Sequence, residues 1–200
     1  MNNKIIAVFG GSFNPPTNAH VNLAKQILDK YSNIEKIIFV PVSTKYNKKG
    51  LAPDETRFNL LKKVCEQNNK LEVSSIELDS PRQLYTIETL KRIQEQNPNF
   101  QVCFLLGTDN LKELETWYVA KEIVSNFKIL VLQRDNDNIE EILNNSTLLS
   151  KYKNSFIILK DIKPIELSAS FIREKIQKGE NIKDLVPKEI LEDVLKLYKK

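Results

Sequence analysis

The 200-residue chain has one histidine, two cysteines and five glycines. Because Cys65 and Cys103 lie inside apolar runs, we expect two buried free thiols rather than a disulfide or a metal pair. No apolar run approaches the roughly 18 residues of a membrane span, and no signal-peptide pattern is present. These absences argue against a disulfide-stabilised or membrane-bound class, and we expect a cytoplasmic protein with no membrane partner.

Two well-known phosphate-binding motifs are also missing. Neither Gly-x-x-x-x-Gly-Lys-Ser/Thr nor Gly-x-Gly-x-x-Gly occurs, which argues against a P-loop NTPase and a dinucleotide oxidoreductase. The net charge of +4 is spread along the chain, with lysines beside glutamates as in Lys188-Glu189. A basic stripe is therefore lacking, and we expect no nucleic-acid partner.

Short apolar runs alternate with segments of helical periodicity. The predicted strands are Ile5–Phe9, Lys36–Val42, Leu71–Leu78, Gln101–Leu106, Lys128–Gln133 and Ser155–Leu159. Between them, helical spacing predicts helices at Val21–Tyr31, Phe58–Cys65, Ile87–Ile93 and Trp117–Val124, with two more at Ser170–Lys178 and Lys188–Tyr198. This alternation predicts an α/β fold with a doubly wound parallel sheet and a small C-terminal helical part.

Local signals set the expected boundaries. Asp54 is typical of a helix start, Gly179 of a helix end, and Pro187 of the first position of the last helix. With no long linker, we expect a single domain over residues 1–200, whose core spans 1–165 and whose segment 166–200 adds helices.

The segment from Gly10 to His20 follows the first strand and opens a helix. Its two glycines permit unusual backbone angles and close approach, and a helix N-terminus attracts phosphate. Thr17 and His20 lie three residues apart, so we expect them on the first helical turn, where they can bind one anion together. The alternative is an ordinary loop followed by a hydrogen-bonded histidine.

In an open parallel sheet, ligands bind beyond the carboxyl ends of the strands. Gly107, Asp109 and Arg134 occupy that edge. There Asp109 either accepts hydrogen bonds from ribose hydroxyls or caps the next helix. The loop containing Lys45 and Lys48 supplies positive charge for phosphates, or is simply solvated.

Two further groups carry candidate chemistry. Ser168, Ser170 and Arg173 open a helix, which favours an anion, although a serine cap with a surface arginine is the alternative. Trp117 is suited to stacking on a flat ring while Thr86 binds its substituent, or it anchors the core.

These residues resemble a known family. The run Gly11-Ser12-Phe13-Asn14-Pro15 through Thr17-Asn18-Ala19-His20 resembles the first nucleotidylyltransferase signature, and Ser168 to Arg173 resembles the second, Ser-x-Ser/Thr-x-x-Arg. Tyr85 to Leu90, Gly107 to Leu111 and Trp117-Tyr118 are similar to the nicotinate- and nicotinamide-mononucleotide adenylyltransferases. The resemblance covers about Ile5 to about Arg173 and implies a Rossmann-like nucleotidylyltransferase fold.

The resemblance implies adenylyl transfer from ATP to nicotinate mononucleotide in NAD biosynthesis, giving nicotinate adenine dinucleotide and pyrophosphate. Mg²⁺ would accompany ATP with few or no protein ligands, and a homo-oligomer is allowed. The implied catalytic residues are His20, Thr17, Lys48 and Arg173. The implied ATP-binding residues are Gly10, Gly11, Ser12, Phe13, Gly107, Asp109, Arg134, Ser168, Ser170 and Ile172. The implied mononucleotide-binding residues are Asn14, Lys45, Tyr46, Tyr85, Thr86, Thr89 and Trp117.

Two departures from the family pattern leave alternatives open. Ala19 replaces a glycine, which adds a methyl group near the phosphate, and Thr17 replaces a histidine, which removes a charge. These departures motivate one alternative, a non-catalytic nucleotide sensor. Nicotinamide mononucleotide as the preferred or equal acceptor is a second, because the segment from Pro41 to Leu51 resembles nicotinamide-accepting enzymes. Another adenylyl- or cytidylyltransferase of the phosphopantetheine type, which shares the first signature, is a third.

Overall fold

A computed structural model describes residues 4–45, 50–134, 137–163 and 166–199. Its centre is a six-stranded sheet in which all strand pairs are parallel, in the order β3-β2-β1-β4-β5-β6. The strands are β1 (Ile5–Gly11), β2 (Ile34–Pro41), β3 (Leu71–Val73), β4 (Gln101–Gly107), β5 (Lys128–Leu132) and β6 (Phe156–Leu159). The strand order reverses between β1 and β4, so this pair marks the expected ligand crevice.

Helices cover both faces of the sheet. They are α1 (Asn18–Lys30), α2 (Asp54–Cys65), α3 (Thr86–Gln96), α4 (Thr108–Glu113), α5 (Ala120–Asn126), α6 (Ile139–Asn145), α7 (Ala169–Gln177) and α8 (Leu191–Tyr198). Alternate residues of one strand serve opposite faces: Ala7 packs with α1 and α2, whereas Val8 packs with α3. The predicted fold class is confirmed.

The last two helices form a third apolar cluster against the start of the chain. Ile172 and Ile176 of α7 and Val194 of α8 pack with Val21 of α1 and Leu60 of α2. Since α1 carries the first signature and α7 the second, this packing fixes the two signatures relative to each other.

Two element predictions were wrong. Strand β3 ends at Val73 instead of Leu78, because the chain turns where Asp79 N–H donates to Ser75 O. The predicted helix over Trp117–Val124 is broken: Trp117 is extended after a 3-10 turn, Val119 is left-handed with φ 47°, and α5 begins at Ala120.

Three boundary predictions have mixed outcomes. Asp54 is the first residue of α2, but Pro53 occupies the cap position and the Asp54 carboxylate instead accepts from Ser43 Oγ at 2.9 Å. Gly179 ends α7 with φ 71°, as predicted. Pro187 opens a 3-10 turn over Lys188–Ile190, and α8 follows it.

The two cysteines lie where the sequence predicts. Cys65 and Cys103 are buried free thiols, and burial raises the pKa of each to about 12. Among the described residues, no helix combines the length and the apolar character needed to cross a bilayer.

Candidate active site

The loop after β1 turns sharply at Phe13, which has φ 43°. The prediction that Gly10 and Gly11 supply the unusual angles was wrong, because both continue β1 and neither has a positive φ. Gly11 is needed for space instead: a Cβ there would lie 2.9 Å from the Phe13 ring. That ring is buried between Phe9 and Phe39, which anchors the turn in the core.

Thr17 and His20 form a reciprocal cap at the start of α1. The Thr17 N–H donates to His20 Nδ1 at 3.0 Å, and the His20 N–H donates to Thr17 Oγ1 at 3.3 Å. This is the geometry of a capping box, with histidine at the position where glutamate or glutamine usually lies. The box orients the imidazole without the help of any ligand.

The cap also fixes the chemistry of the imidazole. Because Nδ1 accepts the Thr17 N–H, the neutral ring carries its proton on Nε2. Burial and the nearby Arg134 guanidinium lower the pKa of His20 to about 4. At neutral pH, His20 is therefore a neutral hydrogen-bond donor through Nε2 and not a general acid.

Thr17 does not share the predicted anion with His20. Its side chain is fully buried and its hydroxyl lies 2.9 Å from His20 Nδ1. The structure makes Thr17 a residue that positions His20, because a buried hydroxyl engaged by the imidazole is not available to a phosphate.

A cavity of about 730 Å³ opens beside His20. Its walls come from the end of β1 and the loop and start of α1 that follow it, from Asp109 in α4, from the end of β5, and from the start of α7. Its polar walls come from Ser12, His20, Asp109, Arg134, Glu166 and Ser168. Phe13 and Ala19 also line it, so the extra methyl group of Ala19 does face this space.

Asp109 and Arg134 form one wall of this first cavity. Arg134 Nη1 lies 2.9 Å from Asp109 Oδ2, and both side chains are more than half exposed. The cap of α4 is Gly107, so Asp109 is not the helix cap. Gly107 leaves room for the arginine, since a Cβ there would lie 2.9 Å from Arg134 Nε.

A second cavity, of about 530 Å³, lies between β1, β2 and α3. Trp117, Tyr85, Thr86 and Thr89 all line it, as their shared prediction requires. Trp117 also packs against the core, with its ring centroid 6.1 Å from that of Phe104, and its stacking on a ligand ring stays a prediction. Ser12 lines both cavities, so they approach each other at this residue.

Tyr85 and Tyr118 form an aromatic pair on the wall of the second cavity. Their rings stack with centroids 4.2 Å apart, and 45% of Tyr85 and 59% of Tyr118 remain exposed. Such exposed aromatic surface next to a cavity is suited to contact with a ligand ring.

Arg173 connects the two signatures directly. Its Nη1 donates to the Asn14 backbone oxygen at 2.7 Å, and its Nη2 donates to Ser170 Oγ at 3.1 Å. Ser168 caps α7 by accepting the Phe171 N–H at 3.1 Å. We call the loop between β1 and α1 the phosphate loop. Ser168 therefore caps α7 while Arg173 lies beside the phosphate loop.

The Asn14 side chain is engaged within the protein, and its predicted contact with the mononucleotide stays a prediction. It is 4% exposed; its Nδ2 donates to Gly50 O at 2.9 Å, and its Oδ1 accepts from Ala52 N–H and from Tyr198 Oη. Burial raises the pKa of the Tyr198 phenol to about 12, so this 2.6 Å bond keeps its proton.

Four other predicted positions differ from expectation. Gly10 and Gly11 line the second cavity and not the first. Lys45 Nζ donates to the carbonyls of Leu78 and Ser80 at 3.0 and 2.7 Å, which holds it away from the cavities. Ile172 is fully buried, and its N–H donates to Ser168 O. Tyr46 and Lys48 lie outside the described residues.

Sequence reasoning missed Arg57, a fully buried arginine beneath the phosphate loop. Its guanidinium donates to the carbonyls of Ser12, Val42 and Ala52 and pairs with Asp54 at 2.5 Å. It thus ties the loop to the end of β2. An arginine on the apolar side of a predicted helix was the available signal.

Glu77, on the wall of the second cavity, was also missed. Its Oε1 accepts from Thr89 Oγ1 at 2.8 Å. Burial raises its pKa to about 7, against the opposing effect of the Thr89 hydrogen bond. This is the group in that cavity whose charge changes near neutral pH.

The chain matches the cytidylyltransferase-like family model over residues 8–175, and it therefore belongs to that family. It is 35% identical to the probable nicotinate-nucleotide adenylyltransferase of Clostridium acetobutylicum and 32% identical to that of Clostridium tetani, covering 96% of both chains in each comparison. The fold matches Plasmodium falciparum nicotinic acid mononucleotide adenylyltransferase complexed with NaAD, with a TM-score of 0.76, 21% identity and coverage of 98% of this chain and 100% of that one. The predicted family is confirmed.

Proposed function

We propose that the protein transfers the adenylyl group of ATP to nicotinate mononucleotide, giving nicotinate adenine dinucleotide and pyrophosphate. The main support for this proposal is a pair of cavities, one beside His20 and one beside Trp117, that share Ser12 in their walls. Adenylyl transfer requires two nucleotides with their phosphates in contact, and two cavities that share a lining residue support such an arrangement.

In this reaction the 5′-phosphate oxygen of the mononucleotide attacks the α-phosphorus of ATP. A new P–O bond forms, the bond between the α-phosphorus and its bridging oxygen breaks, and pyrophosphate leaves with the electron pair. ATP occupies the first cavity, with adenosine near Asp109 and Arg134, and the mononucleotide occupies the second. No covalent enzyme intermediate is part of the proposal.

His20 donates a hydrogen bond from Nε2 to an α-phosphate oxygen, on which negative charge accumulates. A donor already oriented by Thr17 needs no reorganisation as the reaction proceeds. Arg173 supplies permanent positive charge beside the phosphate loop, with Ser168 and the start of α7 near the departing pyrophosphate.

Mg²⁺ enters with ATP as part of the substrate and neutralises phosphate charge. Among residues 4–45, 50–134, 137–163 and 166–199, no group of three or more His, Cys, Asp or Glu side chains is arranged to hold a metal ion. The cytoplasmic location, the homo-oligomer and the catalytic role of Lys48 stay predictions.

A product assay with MgATP and each mononucleotide in parallel tests the proposal. We expect pyrophosphate and dinucleotide in equal amounts, and a higher kcat/KM with nicotinate mononucleotide than with the amide. Binding of ATP without pyrophosphate release would instead favour the nucleotide sensor, and a higher kcat/KM for the amide would reverse the substrate preference. Phosphopantetheine as the better acceptor would identify the other transferase class.

A further inference from the structure

The second cavity has an unusual charge distribution for a site that is to hold the ring carboxylate of nicotinate mononucleotide. Nicotinate mononucleotide differs from nicotinamide mononucleotide only in carrying a ring carboxylate where the other has an uncharged amide. Among the described residues lining this cavity, Glu77 is the one charged side chain, and no Lys or Arg lies with it. A ring carboxylate bound in this cavity would therefore face another carboxyl group, that of Glu77.

The position of Glu77 is fixed by α3. Its Oε1 accepts the Thr89 hydroxyl at 2.8 Å, and Thr89 lies one turn after Tyr85 and Thr86 on the same cavity wall. The hydrogen bond to Thr89 therefore holds the carboxyl group beside the residues that the proposed function assigns to the pyridine ring.

Neighbouring charges on the described residues are engaged elsewhere. Lys45 Nζ is bound by the carbonyls of Leu78 and Ser80, and Arg82 pairs with Glu88 at 2.5 Å on the outside of α3. The Asp79 carboxylate accepts from Ser75 Oγ at 2.6 Å. The other titratable groups lining this cavity in the described chain are two phenols, those of Tyr85 and Tyr118.

We infer that Glu77 is a specificity-determining residue of this site: protonated, it admits the ring carboxylate of nicotinate mononucleotide, and ionised, it turns the preference towards the uncharged amide. This inference rests on the proposed function and deepens it. The protonated carboxyl group donates a hydrogen bond to the ring carboxylate, whereas two ionised carboxylates repel each other. The ionised form accepts a hydrogen bond from the amide instead.

The midpoint of the switch lies near the pKa of Glu77, about 7. If the nicotinate complex requires the protonated form, each pH step of one above that value lowers its kcat/KM by about tenfold. Both acceptors share the same ribose phosphate, so titration of that phosphate cancels in the ratio of the two kcat/KM values. The ratio therefore isolates the ring end of the site.

The experiment measures this ratio, nicotinate over nicotinamide mononucleotide, at saturating MgATP from about pH 5.5 to about pH 8.5, which brackets the Glu77 midpoint. We expect the ratio for the unmodified protein at pH 8 to be about tenfold below its acidic plateau. Glu77→Gln should hold the ratio near that plateau at every pH, because the amide carries no charge. Asp79→Asn removes a charge two residues away outside this cavity and should leave the pH profile unchanged.

Thr89→Val provides a second test if Glu77→Gln folds poorly. This variant lacks the Thr89 hydroxyl, whose hydrogen bond lowers the pKa of Glu77, so the fall in the ratio should move to higher pH. A ratio that does not vary with pH in the unmodified protein, or an unchanged fall in Glu77→Gln, overturns the inference while leaving adenylyl transfer intact. No dinucleotide from either acceptor at any pH would refute the proposed function, and the inference with it.

Discussion

His20 has two separable roles, and substitution can distinguish them. His20→Ala removes the Nε2 donor from the first cavity and also the acceptor for the Thr17 N–H. Loss of one donor to a developing charge costs about 10²- to 10³-fold in kcat. Loss of the cap acceptor costs about 1 kcal/mol of the free energy of unfolding.

His20→Gln is the matched control, because glutamine at this position of a capping box accepts the backbone N–H of the cap residue. We expect this variant to recover most of the free energy of unfolding that His20→Ala loses. A glutamine side chain lacks the rigid ring that holds Nε2, so with its oxygen engaged by the Thr17 N–H its amide donor is not fixed on the α-phosphate. The kcat of His20→Gln should therefore stay close to that of His20→Ala.

Two measurements check these expectations: pyrophosphate release with both substrates saturating, and urea unfolding of all three proteins. A kcat for His20→Ala within tenfold of the unmodified protein would refute the role on the α-phosphate. Recovery of kcat together with stability in His20→Gln would show that the imidazole ring itself is not required, because a glutamine amide can both accept from Thr17 and donate.

Three further outcomes follow from the described contacts. Because the folded-state pKa of His20 is about 4 against an ordinary 6.5, the unfolded chain binds its proton first, so the stability contribution is complete above pH 6.5 and is lost as pH falls to 4. Urea unfolding should show up to about 3 kcal/mol of this loss, absent in His20→Gln, and equal slopes would contradict it. Arg57→Met strands Asp54 and three carbonyls, which should cost about 3–5 kcal/mol in the same assay; a cost under about 1 kcal/mol would contradict the bracing role. Gly107→Ala should displace Arg134 and raise the KM for ATP several-fold, at a cost under about 1 kcal/mol of stability for an exposed side chain; an unchanged KM would show that Arg134 does not contact ATP.

The fold could be predicted from the sequence because the local spacing of apolar residues indicates its strands and helices. Strands that are apolar on both faces, such as β1 and β4, can lie only in the middle of a covered parallel sheet. The boundary errors came from places where tertiary contacts override that pattern. Val119 adopts a left-handed conformation that no β-branched residue prefers, and it breaks the helix predicted across Trp117.

The candidate site was only partly accessible, since the roles of its residues depend on distant partners. His20 and Trp117 line the cavities that their sequence contexts predict. The side-chain amide of Asn14, by contrast, hydrogen-bonds to residues 36, 38 and 184 positions away, and no local sequence pattern predicts those partners. Glu77 looks like any surface glutamate until burial and Thr89 are known.

The hydrogen bond between Tyr198 and Asn14 has a consequence for the order in which the protein matures. Synthesis runs from the N-terminus, so Asn14 leaves the ribosome 184 residues before the phenol that completes its hydrogen bonds. Until α8 docks, the phosphate loop lacks one of its supports. The last hydrogen bond of the loop therefore forms only after residue 198 has been made, and trimming α8 would leave every signature residue in place yet remove this one support.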